Sequence, residues 1–344
     1  MSEVVDHLAE LTGNRDRDVM DVTLVSALSD LLEPLHAAIY RCVGEPGQER
    51  WLTRARLSQG DAVASADSVW IQSEKLPALD EFPGRVDCMR SRQVLQQHQD
   101  DHWLTLFPIA TDRSVVGVIE ISTREQLSPG GLKQVSSILR IYHNFQGLLD
   151  YSERDTLTGL LNRKTFDESF LKAMGDMPMH RDESAQDGRR HEEVHPRYYL
   201  GLIDIDHFKA VNDRFGHLIG DEVLLLLSRL MRNSFRFHDL LYRFGGEEFV
   251  VLMRCEDAND AAQAFERLRT NTGSYAFPQV GHVTISVGFT EVRPGDSPAA
   301  AFERADKAVY FAKSNGRDQV RDHADLLRVG ALKEVEQVSD VELF

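Results

Sequence analysis

The chain has 344 residues, 42% of them hydrophobic and 27% charged, a globular composition with length enough for two domains. A formal net charge of −16, with no dense Lys/Arg tract, disfavours bulk binding to nucleic acid or anionic membranes. No apolar run approaches the roughly 20 residues of a membrane span, and the polar, acidic N-terminus is unlike a leader peptide. The cysteines Cys42, Cys88 and Cys255 lie far apart and supply neither a disulfide framework nor a zinc spacing, which fits a reducing cytoplasm.

In chain order, residues 1–20 read as a polar cap. From Asp21 the positions Val22, Leu24, Val25, Leu28, Leu31, Leu32 and Leu35 recur at three- and four-residue steps, an amphipathic helix ending near Pro34. Residues 37–43 and 51–57 read as paired strands, 58–100 show no clean period, and 103–109 and 115–121 read as a hairpin. Helix, paired strands, irregular middle, hairpin and closing helix resemble a GAF-type sensor domain over residues 21–128, with PAS the nearest alternative. The resemblance implies a ligand in the irregular middle, an unnamed small-molecule or redox effector. His36, His98, His102, Cys42 and Cys88 show no ligand spacing and read as ordinary side chains. Pro129 opens a helical linker, residues 129–154. Its Val135, Ile138, Tyr142, Phe145 and Leu149 fit either a helix packed on its own domain or, the reading favoured, a two-helix seam joining a homodimer.

The second half opens on Asp155 (DTLTGLLNRK) and a helix over 164–173. Residues 175–197 are a polar surface loop, and their His180, His191 and His195 do not suggest a metal site. Residues 198–205 (YYLGLIDI) form a buried strand ending in Asp204-Ile205-Asp206, a common placement for a metal ligand. Lys209 and Asn212 share one helix face, Gly216 ends that helix and Gly220-Asp221 opens another. Asn and Asp suit the guanine edge and Lys suits a phosphate. Arg236-Phe-His-Asp239 reads alone as a helix-surface pair. Residues 243–249 (RFGGEEF) read as a hairpin turning on Gly245-Gly246. Side-chain-free glycines let a phosphorylated ligand approach, and Glu247 and Glu248 stand where they can hold a divalent cation or take a proton. Taken alone, the stretch equally describes a plain hairpin with solvated acids. A helix over 258–270, a strand over 283–289 and a helix over 299–313 follow. Lys313 and Arg317 are either partners of the helix dipole or phosphate ligands. Residues 321–344 read as an acidic tail or short extra helix. The order from 155 is α-β-α-α-β-β-α-β-α, an α/β (α+β) sheet packed by helices.

With DTLTGLLNRK, DIDHFKAVNDRFGHLIGDEVL, RFGGEEF, TISVGF and ADKAVYFAKSNGRDQV assembled, residues 155–320 resemble a GGDEF domain, the diguanylate cyclase family. The resemblance implies a palm-like nucleotidyl-cyclase fold that condenses two GTP into cyclic di-GMP and two pyrophosphates where two subunits of a homodimer face each other. It implies Mg2+, two per GTP half-site with Mn2+ as an alternative, held by Asp204, the Ile205 carbonyl, Glu247 and Glu248. Glu247 would also deprotonate the attacking hydroxyl, and Lys209 would offset developing charge. Asn212 and Asp221 would read guanine and His217 would lie on the substrate; Gly245 and Gly246 would pass under the triphosphate, and Lys209, Lys313 and Arg317 would hold its phosphates. The signature is GGEEF, the accepted variant of active members, and Asp221 favours guanine. Arg236 and Asp239 stand at the family's offset for an inhibitory product site, with Arg267 as a second arginine. The other classes weighed are a catalytically silent cyclic di-GMP receptor and a GTP-hydrolysing switch. The switch is disfavoured because no P-loop pattern is present.

Overall fold

The computed structural model describes residues 2–13, 16–44, 47–68, 71, 73–110, 115–175 and 197–333. It divides into two compact units, Met1–Ser152 and Glu153–Phe344. The turn expected between the second pair of strands (111–114), the interior of the polar loop (176–196, with its three histidines) and the end of the acidic tail (334–344) lie outside the described residues. Among the described residues no helix is long and apolar enough to cross a membrane.

The first unit contains α1 (Ser2–Gly13), α2 (Arg17–Leu32), β1 (His36–Val43), β2 (Arg50–Ser58), α3 (Pro83–Ser91), β3 (Leu95–Gln99), β4 (His102–Ala110), β5 (Val115–Thr123) and α4 (Pro129–Glu153). Asp16 caps α2 by accepting from the Asp18 N–H, and left-handed Glu33 ends it before Pro34. The strands form an antiparallel sheet in the order β2-β1-β5-β4-β3. Alternate side chains divide between its faces. Ile39, Phe107, Ile119 and Ile121 pack with Leu24 and Leu28 of α2 and with Val135, Ile138, Tyr142 and Leu149 of α4. Trp51, Leu106 and Val118 pack with Cys88 of α3.

The cap and linker expected as separate segments therefore both belong to this unit, since Leu11 of α1 lies in the same core as the α4 residues. The expected inter-subunit seam is also reassigned. Val135, Ile138, Tyr142 and Leu149 are buried within their own unit, and the Tyr142 hydroxyl donates to the buried Asp21 carboxylate. On α4, Ile141, Leu148 and Tyr151 are the exposed large apolar side chains. Residues 58–100, read as irregular, hold α3 and β3. Helix α3 buries only Arg85 and Cys88, too few apolar positions to leave a helical period. The Arg85 guanidinium lies 3.5 Å from the Tyr40 ring centre and 3.9 Å from that of Phe82, and ion-pairs with Glu120 at 2.7 Å.

The second unit contains β6 (Leu161–Asn162), α5 (Arg163–Gly175), β7 (Arg197–Ile205), α6 (Phe208–Phe215), α7 (His217–Ser234), β8 (Leu240–Gly245), β9 (Glu248–Cys255), α8 (Ala258–Ser274), β10 (Ile285–Glu291), α9 (Pro298–Ser314), β11 (Val320–Asp322) and α10 (His323–Arg328). The sheet order is β11-β10-β7-β9-β8-β6. Strand β7 is buried from Tyr198 to Ile205 and pairs antiparallel with β9 and β10, so its continuous apolar run is the signature of a central strand. Strand β11 runs from Val320 into the residues expected as tail, and α10 is the short extra helix that stood there as the alternative. Two glycines set the packing distances. A Cβ at Gly201 would fall 2.0 Å from the Phe265 ring, and one at Gly288 would fall 2.2 Å from the Val309 backbone nitrogen. Helices α8 and α9 thus lie directly on the sheet at these points.

Candidate functional site

The end of β7 brings two acids together. Antiparallel pairing places Asp204 opposite Glu248, the first residue of β9. Asp204 is 8% exposed. Its Oδ2 lies 2.6 Å from Lys313 Nζ, delivered by the last turn of α9, and its buried Oδ1 has no hydrogen-bond partner. Burial raises the Asp204 pKa, the Lys313 ammonium opposes that, and the charges of Glu248 and Asp206 add to it. Glu247, at the turn, is likewise raised, first by burial and then by Asp204. A cleft of about 110 Å³ lies against the pair, lined in part by Phe302, Asp306 and Tyr310 of α9.

A buried carboxylate oxygen without a partner, facing a second carboxylate, fits a divalent cation. Among the described residues no three His, Cys, Asp or Glu side chains form a ready cage. A cation here would be held by Asp204, the Ile205 carbonyl and one or both of Glu247 and Glu248. Its remaining positions would go to water and phosphate oxygens, the partial protein ligation Mg2+ favours.

The glycine turn is clamped from below. Gly245 has φ 146° and Gly246 φ 51°, and the ladder shifts register between Arg243 and Gly245. Arg243 donates from Nε and Nη2 to the Gly246 carbonyl at 3.2 and 2.9 Å, and from Nη1 to the Asp155 carboxylate at 3.0 Å. Asp155 also accepts from the Thr158 N–H and hydroxyl. Its pKa is lowered: burial acts upward, and the Thr158 and Arg243 bonds outweigh it. Asp155 and Arg243 thus tie the DTLTG segment to the glycine turn. In the sequence the two stretches stand apart, and the signal that links them is an acid in one and a base beside the glycines of the other.

On the other side, a Cβ at Gly220 would lie 2.0 Å from Asn212 Oδ1 and 3.3 Å from the Phe208 ring. Glycine at this point of α7 makes room for the Asn212 amide of α6. Lys209, His217 and Asp221 are exposed, at the starts of α6 and α7. Arg317 is exposed in the turn after α9, with φ 62°. Within this predicted set, among the described residues, the side-chain ion pair is Asp204–Lys313.

Arg236, Asp239 and Arg267 form a second group. Asp239 accepts from the Arg236 N–H at 2.8 Å, and Arg267 Nε donates to the Ser234 carbonyl at 3.0 Å. Burial pushes the Asp239 carboxyl up to about 6 against the opposing Arg236 and Arg267 charges.

Fold and site together describe an α/β domain with paired carboxylates and a lysine at the end of its central strand. Residues 152–319 match the family model described as diguanylate cyclase, GGDEF domain, and the second unit is a domain of that family. Diguanylate cyclase DgcP of Pseudomonas aeruginosa is 38% identical over 169 residues, covering 48% of this chain and 23% of that protein. Diguanylate cyclase DgcM of Escherichia coli K12 is 35% identical over 169 residues, covering 49% of this chain and 38% of DgcM. The chain thus spans well under half the length of either relative. The crystal structure of the GGDEF domain of DgcB from Caulobacter crescentus, in complex with c-di-GMP, is 32% identical; it covers 50% of this chain and 96% of that one, with a TM-score of 0.43.

Proposed function

We propose that the protein is a diguanylate cyclase, condensing two GTP into cyclic di-GMP and two pyrophosphates between two copies of the GGDEF domain. The reading rests above all on Asp204 and Glu248 facing each other in register beside Lys313. Bound Mg2+ would supply charge neutralisation at the phosphates. The remaining work falls to the chain. Lys313 and Arg317 hold phosphate oxygens at one end of the nucleotide. Asn212 and Asp221 read guanine at the other, with His217 and Lys209 over the span between. The Gly245-Gly246 backbone passes under the triphosphate, held in place by Arg243. Glu247, whose pKa burial raises above the ordinary carboxylate value, takes the proton of the attacking 3′-hydroxyl.

The regulation proposed has two parts. A GAF-like first unit senses an effector and changes how often two GTP-loaded domains meet. The homodimer uses the α4 flank of Ile141, Leu148 and Tyr151, spaced by seven and three residues. A fragment from about residue 150 to 320 is then monomeric and slow; per-site activity equal to the full chain would remove this part of the account.

Product feeds back through Arg236, Asp239 and Arg267. The ionised Asp239 accepts from guanine N–H donors. Its carboxyl titrates at about 6, while His238 is pushed down to about 4, first by burial, and stays neutral in that range. Affinity for cyclic di-GMP should therefore fall roughly tenfold between about pH 7 and pH 5, as protonation removes the acceptor. Calorimetric titration across that range checks this, and a flat profile would exclude the ionised Asp239 from the site.

The reading as a whole is tested by the fate of GTP given to protein stripped of bound nucleotide. Conversion to cyclic di-GMP supports it. Tight cyclic di-GMP binding without conversion by a dimeric sample makes the protein a receptor.

A further inference from the structure

Asp206 is the second acid of the Asp204-Ile205-Asp206 run, outside the set expected to hold a metal. Its surroundings assign it another role. The side chain is 5% exposed, and both oxygens are occupied. Oδ1 accepts from the Ser286 hydroxyl at 2.7 Å; Oδ2 accepts from the Thr284 hydroxyl at 2.7 Å and from the Asp318 backbone N–H at 3.0 Å.

The last of these bonds reaches across the sheet to the turn after α9. Gly316, Arg317 and Asp318 have φ of 109°, 62° and 43°. Two consecutive left-handed residues with side chains cost about 1 kcal/mol or more each and persist only where neighbours hold them. The Arg317 N–H donates to the Ala312 carbonyl at 3.0 Å, and Arg269 grips the Asp318 carboxylate at 2.8 Å. The Asp206 carboxylate supplies the buried anchor, and it is itself fixed by the hydroxyls of Ser286 in β10 and of Thr284 just before it.

We propose that Asp206 is a positioning residue for Arg317. It holds the Gly316–Asp318 turn in its left-handed form, so that the Arg317 guanidinium is presented to the substrate phosphates. This rests on the reading above in which Arg317 binds phosphate.

The test is a double-mutant cycle on the full chain with GTP and Mg2+. Asp206→Asn keeps the volume but replaces one acceptor oxygen by a donor. It should raise KM for GTP about tenfold, the size of one charge-assisted phosphate contact, with kcat within about threefold of the parent. In an Arg317→Ala background the same substitution should raise KM no further. Thr284→Val, which removes one hydroxyl from Asp206 and leaves the carboxylate, should give a smaller rise that also vanishes in that background. It carries the test if Asp206→Asn does not fold.

Equal increases in both backgrounds would overturn the proposal while leaving Arg317 a phosphate ligand. So would a collapse of kcat at unchanged KM, which would place Asp206 with the metal. If Arg317→Ala alone leaves KM unchanged, the phosphate role of Arg317 fails and the proposal fails with it.

Discussion

Asp204→Asn should lower cyclic di-GMP formation by about a thousandfold, some 4 kcal/mol of transition-state stabilisation, with no loss of thermal stability. Two features of the site make the effects separate. The buried Oδ1 has no protein partner, so this oxygen is available to a cation, while the carboxylate's fold contact is the Oδ2 pair with Lys313. Burial also raises the Asp204 pKa, so the folded chain binds this proton more tightly than the unfolded one. The stability linked to the group is therefore fully present below the ordinary carboxylate pKa and is lost as pH rises through the folded value. Above the folded value the ionised carboxylate opposes folding, and Asn removes that opposition. Lys313, about a third exposed, can turn to solvent. A melting scan beside a product assay checks both halves. Activity within about tenfold of the parent would remove Asp204 from the metal site.

Gly288→Ala should be the most damaging single-methyl substitution in the second unit. The added Cβ would lie 2.2 Å from the Val309 nitrogen, 2.5 Å from the Ala305 carbonyl oxygen and 2.7 Å from the Ala308 carbonyl carbon. All three are backbone atoms of α9, so no side chain can swing away and the helix must lift from β10. Overpacking of this kind costs about 3 kcal/mol. Because α9 carries Lys313 to Asp204, activity should fall with the packing. Urea unfolding would show the loss as a lowered midpoint at unchanged slope. A midpoint matching the parent would mean that α9 does not rest on Gly288 as described.

Much of the site was legible because the chain writes its parts as contiguous patterns. The apolar run of β7, the glycines of the turn and the two acids after them each declare a local geometry. Contacts made only by folding were not legible. Asp155 and Arg243 lie 88 residues apart, and Asp206 and Asp318 lie 112 apart. No period or spacing links them. The α4 seam was misassigned for a different reason: the helix is apolar on two flanks, and period alone does not say which one faces its own sheet. Strand β3 went unseen because LQQHQ is polar, as suits an edge strand with only one neighbour.

The most direct measurement is chromatographic: the product from GTP and Mg2+ with the stripped full chain, beside Glu247→Ala. The account predicts cyclic di-GMP and pyrophosphate from the parent, and from the variant a rate lower by about a thousandfold or more. Cyclic di-GMP made equally well by Glu247→Ala would contradict the assigned chemistry. GTP left intact by a dimeric, nucleotide-free parent would contradict the cyclase itself.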